Sequence, residues 1–298
     1  MANWISHLLI GLALAGPVLL VSVALSSVIS ASGVLNVTVG AVFAASGIVG
    51  VSVAGPGGLP AFIVVCLAMP VAFYVILELA VLRPQRQRGG GDKEIGAFAA
   101  TLGAAIVIAA VAAQITHSNV STLPPAFPRM STVWKLGAVQ LSLQTVILFG
   151  VAVVLAGAWG LTLKLARLGK LARAVASNPL LSRTLGVRPN RVILHVWVIS
   201  GLFTGVATIL LVVSSRSISA GSGAAYLLVP FAAVVAGGMG SILGASIASV
   251  FFGLTEAVVG NLTSQPGIQE AVVFGLLFLV LLLRPEGMVR MRSGVRAY

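Results

Sequence analysis

The chain has 298 residues, of which 58% are hydrophobic and 8% charged, and a formal net charge of +12. Soluble chains carry about 25% charged residues, so a soluble 30.3 kDa globule of this composition could not cover its surface with polar groups. Mean hydropathy is +1.10, and several apolar runs reach about twenty residues, the length that crosses a hydrocarbon core about 30 Å thick. The bilayer is therefore the solvent for most of the chain. A nucleic-acid partner would need Lys and Arg gathered on a soluble module; here they are divided among short segments between apolar runs, which excludes one.

The predicted spans follow in order. Span 1 covers Leu8 to Ile29 with Pro17 inside it, and MANWISH before it lacks the basic stretch of a cleaved signal, so it reads as a retained span. Span 2 covers Leu35 to Ala54 and ends at Gly55-Pro56-Gly57-Gly58. Span 3 covers Pro60 to Leu82 and closes at Arg83-Pro84; span 4 covers Ile95 to Ile115. A polar, proline-bearing loop follows from Thr116 to Gly137, then span 5 from Ala138 to Leu161 and span 6 from Val192 to Val213. Leu227 to Gly260 is apolar but broken by Gly237-Gly238-Met239-Gly240-Ser241, and a last span runs from Ala271 to Leu283. The expected fold is an all-α polytopic transmembrane bundle of eight to nine spans, a single domain over 1–298 with a glycine-broken re-entrant or hairpin region.

Lys and Arg accumulate on the cytoplasmic side. Arg83, Arg86, Arg88 and Lys93 lie between spans 3 and 4. Lys164, Arg167, Lys170, Arg173, Arg183, Arg188 and Arg191 lie between spans 5 and 6, and Arg284, Arg290, Arg292 and Arg296 follow the last span. If these segments share a side, only Arg129, Lys135 and Arg216 of the 18 basic residues lie opposite. The N-terminus is then external and the C-terminus cytoplasmic. The broken region must begin and end outside, with Gly237 to Ser241 at its bend. Irregular backbone at membrane depth survives only inside protein or against a watery cavity, so Gly237, Gly238, Gly240 and Ser241 are candidates for a translocation pathway. Gly201-x-x-x-Gly205 and Gly240-x-x-x-Gly244 each predict two glycines on one helix face, a device for close helix packing in lipid.

The sequence holds no phosphate-binding G-x-x-x-x-G-K-[ST], and Gly89-Gly90-Gly91-Asp92 reads as a flexible turn without strand–turn–helix context. One cysteine, Cys66, and three scattered histidines, His7, His117 and His195, predict no disulfide framework and no metal site. Asp92 is the only aspartate, so a paired-aspartate protease is excluded. Among acids near membrane depth, Glu78 lies close enough to Arg83 to reach the interface or pair with a nearby arginine. Glu256, inside the apolar run Ser249 to Val259, is a pathway candidate, and Glu270 borders the last span.

The loop at 164–191 combines basic residues with an apolar set, Leu171, Val175, Leu180, Leu181 and Leu185. Asn178-Pro179 can cap one short helix and begin another, and Gly186 can end it. Physically it fits either an interfacial helix held by anionic membrane lipid or a docking helix for a cytoplasmic partner.

Several segments, in order along nearly the whole chain, resemble the permeases of branched-chain amino acid ABC transporters. Gly169, Arg173-Ala174-Val175-Ala176, Asn178-Pro179 and Gly186-Val187 resemble that family's coupling loop. Gly33-Val34-Leu35-Asn36 before Gly40-Ala41, and Glu78 with Leu82-Arg83-Pro84, resemble its early motifs, and Ala100-Thr101-Leu102-Gly103 the start of its next span. Val234 to Ser241 with Gly244-Ala245, and Leu283-Arg284-Pro285-Glu286-Gly287-Met288, resemble its later ones. The resemblance implies a permease subunit of the bacterial inner membrane. It would be paired with a second related permease, two cytoplasmic ATPases that hold ATP and Mg, and a periplasmic or lipid-anchored substrate-binding protein. This chain itself would be no enzyme and hold no cofactor. The resemblance places Asn36, Thr38 and Gly40 with the broken region on the pathway. Family members commonly carry a polar residue, often His, just before that glycine; Val39 stands there here. Branched-chain or other hydrophobic amino acids are the first expectation, and urea, amides or another small organic solute the alternative. A stand-alone secondary transporter is a further rival.

Overall fold

A computed structural model of the chain describes residues 2–87, 93–117, 119–125, 127, 133–136, 139–262, 265–284 and 287–288. Arg88, Gly89, Gly90, Gly91, Asp92, Arg129, Pro285, Glu286, Arg290, Arg292 and Arg296 lie outside the described residues.

Helix α1 (Ala2–Ser32) carries Pro17 within it. Residues 33–37 are not helical, and Gly33 takes φ 69°. Helix α2 (Thr38–Leu77) covers both span 2 and span 3, with a non-helical break at Gly58 (φ 66°, ψ −167°). The chain doubles back there, since a Cβ on Gly50 would meet Phe62 and Cys66. The glycine-proline cluster thus ends span 2 as expected. Span 3, however, does not close at Arg83-Pro84: a π-helical turn, Glu78–Leu82, leads into α3 (Arg83–Gln87). A proline removes one backbone donor and crowds the preceding turn, and a widened turn just before it relieves that conflict.

Helix α4 (Lys93–Thr116) is followed by β1 (Ser121–Thr122), β2 (Val133–Leu136) and β3 (Val139–Ser142). β2 and β3 form an antiparallel hairpin, Val133 opposite Ser142 and Leu136 opposite Val139. Span 5 therefore starts later than expected, as α5 (Leu143–Leu165). Apolar and polar residues alternate in VQLS, the period of a strand rather than a helix, and β-branched and aromatic Val133-Trp134 open the facing strand. Two short helices, α6 (Arg167–Ser177) and α7 (Pro179–Thr184), precede α8 (Pro189–Ser215). β4 (Ser217–Ile218) pairs antiparallel with β1. The broken region is a helical hairpin, α9 (Ser222–Gly237) and α10 (Ile242–Leu262), and α11 (Pro266–Leu283) completes the bundle.

Among the described residues, seven helical segments are long and apolar enough to cross a membrane, while Ser222–Gly237 and Ala271–Leu283 are shorter. The polytopic helical bundle is as expected. Its centre is built from α1, the first half of α2 and α8, flanked by α9 and α10; α4 and α5 lie outside. In lipid, helices associate through close packing of small residues and hydrogen bonds between helices. Gly201 and Gly205 do this against the backbone of Val71 and of Cys66 and Leu67. The second glycine pair is different: Gly240 has φ 85° and precedes α10, so it shares no helix face with Gly244. Gly244 instead packs on Gly237 across the hairpin, where a Cβ on either would overlap backbone.

The described parts of the basic segments gather at one end of the bundle. Leu82, Ala97, Ala172, Val175 and Val192 share one apolar cluster there. Arg173 and Ile242 line one groove at this end, and Met288 N–H donates to the Ala236 carbonyl at 2.7 Å, bringing the end of α11 to the hairpin bend. At the opposite end Arg216 donates to the carbonyls of Pro124 (3.3 Å) and Phe127 (3.4 Å).

Candidate translocation site and coupling helix

The break between α1 and α2 is buried. Asn36 is 1% and Thr38 0% exposed. Asn36 Oδ1 accepts from the Thr38 backbone N–H at 3.2 Å and from the Thr38 hydroxyl. That side chain does for α2 what an N-cap does, satisfying a donor that the helix start leaves open. From α4, the Thr101 hydroxyl donates to the Leu35 carbonyl at 3.1 Å. The Asn36 side chain borders the Tyr74 hydroxyl. Tyr74 in turn lies 3.2 Å from Thr204 Oγ1, near the middle of α8. The start of α2 therefore faces the middle of a neighbouring helix.

A buried polar ladder climbs from this point. Thr204 donates to the Ser200 carbonyl (2.9 Å) and Thr208 to those of Thr204 (3.0 Å) and Phe43 (3.3 Å). Ser46 and Thr208 hydroxyls lie 3.2 Å apart, and Ser200 donates to the Ala24 carbonyl at 3.3 Å. Sequence reasoning missed these residues. Their signal was present as Ser200, Thr204 and Thr208 at four-residue spacing, one stripe of α8.

Gly40 sits two residues beyond Thr38, where a Cβ would overlap the carbonyl oxygen of Gly223 at the start of α9. Val39 is fully buried in the central cluster with Leu20, Phe43 and Phe203. The other expected pathway residues do not join this group. Gly237 lies at the far end of α9 from Gly223, about 21 Å along the helix at 1.5 Å per residue. There Gly238 (φ 99°) and Gly240 (φ 85°) make the bend, and Ser241 Oγ accepts from Gly244 N–H at 3.1 Å to cap α10. A Cβ on Gly287 would meet Gly238 at 2.6 Å, so the closing motif docks on this bend. Glu256, half-buried on α10, lies within electrostatic reach of Tyr226, whose ring stacks on Phe43 at 4.5 Å. Glu78 is fully buried and pairs with Arg86 rather than with Arg83. Among the described residues, no group of three His, Cys, Asp or Glu could hold a metal ion.

In the loop at 164–191, Asn178 Oδ1 accepts from Leu181 N–H at 2.9 Å and caps α7, with Pro179 as its first residue. Gly186 (φ 79°) ends it, and Val187 N–H returns to the Ser182 carbonyl at 3.0 Å. Both roles match the expectation. The Ser182 hydroxyl donates to the Ala174 carbonyl at 2.9 Å, tying α7 to α6. Gly169 closes the turn from α5, where a Cβ would overlap the Leu163 backbone. The apolar set divides: Val175 is 1% exposed and belongs to the buried cluster that holds Val28, Ala31, Val34 and Val192, while Leu171, Leu181 and Leu185 are exposed. Ala176 is also exposed, and Ala174 half-buried.

The chain is thus a multispan helical bundle with a buried break, a glycine-bent hairpin and a pair of short helices lying against one end. The family model described as the permease component of the branched-chain amino acid transport system matches residues 7–282. The chain belongs to that family. It is 29% identical over 220 residues to the high-affinity branched-chain amino acid transport system permease protein BraD of Pseudomonas aeruginosa, covering 73% of this chain and 70% of that one. It is 34% identical over 127 residues to LivH of Escherichia coli, covering 43% of this chain and 41% of that protein. A probable LivH of Methanocaldococcus jannaschii is 29% identical over 145 residues, 47% of this chain and 45% of its own. Among solved structures, PsaBC from Streptococcus pneumoniae in complex with Fab shares the fold at a TM-score of 0.50 and 15% identity, covering 95% of this chain and 92% of that one.

Proposed function

We propose that this chain is the permease subunit of an ATP-driven importer in the bacterial inner membrane, with its N-terminus outside and its C-terminus in the cytoplasm. The solute is a branched-chain or other hydrophobic amino acid. The carrying observation is the buried start of α2, where Asn36 and Thr38 sit beside Tyr74, itself 3.2 Å from Thr204 in the middle of α8. A helix start presents open N–H donors and positive dipole, which suits a substrate carboxylate. Asn36, Thr38 and Gly40 line the central part of the route; Gly237, Gly238, Gly240 and Ser241 hinge its cytoplasmic end, and Glu256 stands toward the outside.

Force enters through α6 and α7. Of the two ATPases carrying ATP and Mg, one docks on Leu171, Ala176, Leu181 and Leu185 of this chain, framed by Arg173 and Arg183, and the other on the second permease. Movement of α6 passes through Val175 to Val34, two residues from Asn36, within one packed cluster. A second related permease and a periplasmic or lipid-anchored binding protein complete the transporter. Urea, an amide or another small organic solute is the second reading of the substrate, because Val39 stands where family members commonly carry a polar residue.

The test is uptake into proteoliposomes holding all subunits. Asn36→Leu is expected to abolish uptake while ATPase recruitment persists. Ala176→Glu is expected to abolish recruitment itself. Wild-type uptake by Asn36→Leu would remove the pathway assignment, and full recruitment by Ala176→Glu the coupling assignment. Uptake by the chain without any ATPase would establish the secondary transporter instead.

A further inference from the structure

Apart from Arg173, no residue of the groove between α5 and α10 enters that reading. Its volume is about 800 Å³. Val153, Gly157 and Leu161 of α5 form one wall, and Leu243, Ile247 and Val250 of α10 the other. Val153, Leu161, Leu243 and Ile247 are exposed, so the groove opens sideways onto the bilayer. Two cations, Lys164 and Arg173, close its end on the basic side of the bundle. Arg173 Nη1 donates to the Leu163 carbonyl at 2.6 Å, which holds its guanidinium at the mouth. Among the described residues no carboxylate pairs with either cation. From Val153 to Lys164 the α5 wall rises about 16 Å, close to the hydrocarbon depth of one leaflet, half of about 30 Å.

We propose that this groove binds one anionic glycerophospholipid of the leaflet on the basic side. Its phosphate sits on Lys164 and Arg173, and an acyl chain lies along the α5–α10 walls. Charge decides the occupant. Basic pockets between transmembrane helices on the cytoplasmic side suit anionic headgroups. Protein interfaces are enriched in aromatic side chains, and no aromatic residue lines this groove. Because Arg173 belongs to α6, the bound phosphate also fastens the first turns of that helix to the bundle.

The experiment uses the full chain in nanodiscs of equal parts dioleoyl-phosphatidylglycerol and dioleoyl-phosphatidylcholine, with retained lipid counted by native mass spectrometry after release. The wild type is expected to retain phosphatidylglycerol in preference. Lys164→Gln is expected to lower that retention about fivefold, the effect of one basic residue near a membrane surface. Gly157→Leu with Gly160→Leu fills the groove, since a Cβ at either position meets nothing within 4 Å; this variant is expected to lose the lipid while keeping its melting temperature. If it does not fold, the Lys164→Gln measurement decides alone. Equal retention of the two lipids, or wild-type retention in Lys164→Gln or in a folded groove-filled variant, overturns the proposal. So does a disulfide-linked dimer of Gly157→Cys, which would give the groove to a second copy.

Discussion

The centre and the rim of this bundle solve opposite problems with the same kind of helix. In α1 and the first half of α2, 83% and 78% of the apolar window is buried, against 22% in α4 and 17% in α5. The polar side chains follow burial: Ser22, Ser26, Ser27, Ser46, Ser200, Thr204 and Thr208 are all buried in α1, α2 and α8. The rim shows lipid its aliphatic residues, among them Ile106, Val111 and Val154. Lipid tails reward no further burial of apolar surface, so association rests on packing and on hydrogen bonds between helices. The hydroxyls that bond from one helix to another thus lie inside the bundle, set among apolar side chains.

That contrast can be broken by substitution, read as stability against denaturing detergent. The largest effect is expected at Glu78: replacing Arg86 with Met strands its buried carboxylate, at a cost of about 3–5 kcal/mol. Replacing both Glu78 and Arg86 with Leu is expected to recover most of it. Next come the central glycines. Gly40→Ala drives a methyl into the Gly223 backbone, and overpacking of this kind costs about 1–3 kcal/mol. On the rim the sign inverts: Gly150→Ala meets nothing within 4 Å and is expected to stabilise α5 by about 0.5–1 kcal/mol. Of similar size, Thr208→Val in the ladder is expected to cost about 0.6 kcal/mol. A double-mutant cycle with Ser46→Ala should return a coupling of that order. Thr162→Val on α5 removes a hydroxyl bonded only to its own helix, at Ala158; its melting curve should superimpose on the wild type. Equal costs for Thr208 and Thr162 would erase the distinction between centre and rim.

Much of this was legible from composition and punctuation. Gly58, the glycine bend at 238–240, the Asn178-Pro179 cap and Gly186 each mark a place where backbone geometry demands a particular residue, and sequence carries such demands openly. Pairings did not show in the same way. Gly237 with Gly244, Gly287 with Gly238 and Gly40 with Gly223 are contacts across elements, and no spacing within one helix announces them. The sequence placed Val175 among docking residues because its helix face is apolar; the structure turns it inward, since a short helix lying on a bundle has two apolar neighbours to choose between. The α5 start was displaced because a strand-like alternation of four residues is easily absorbed into an apolar run.

The π turn at Glu78–Leu82 carries one consequence of register. In an unbroken α-helix, eight residues advance by about 800°, leaving positions 78 and 86 about 80° apart around the axis. Absorbing one residue in a wider turn reduces this to about 20°. The acid and the base therefore stand on one side only while the turn stays wide. Tightening it would unscrew the pair, leaving a carboxylate and a guanidinium facing different neighbours at the end of the bundle where α6 docks.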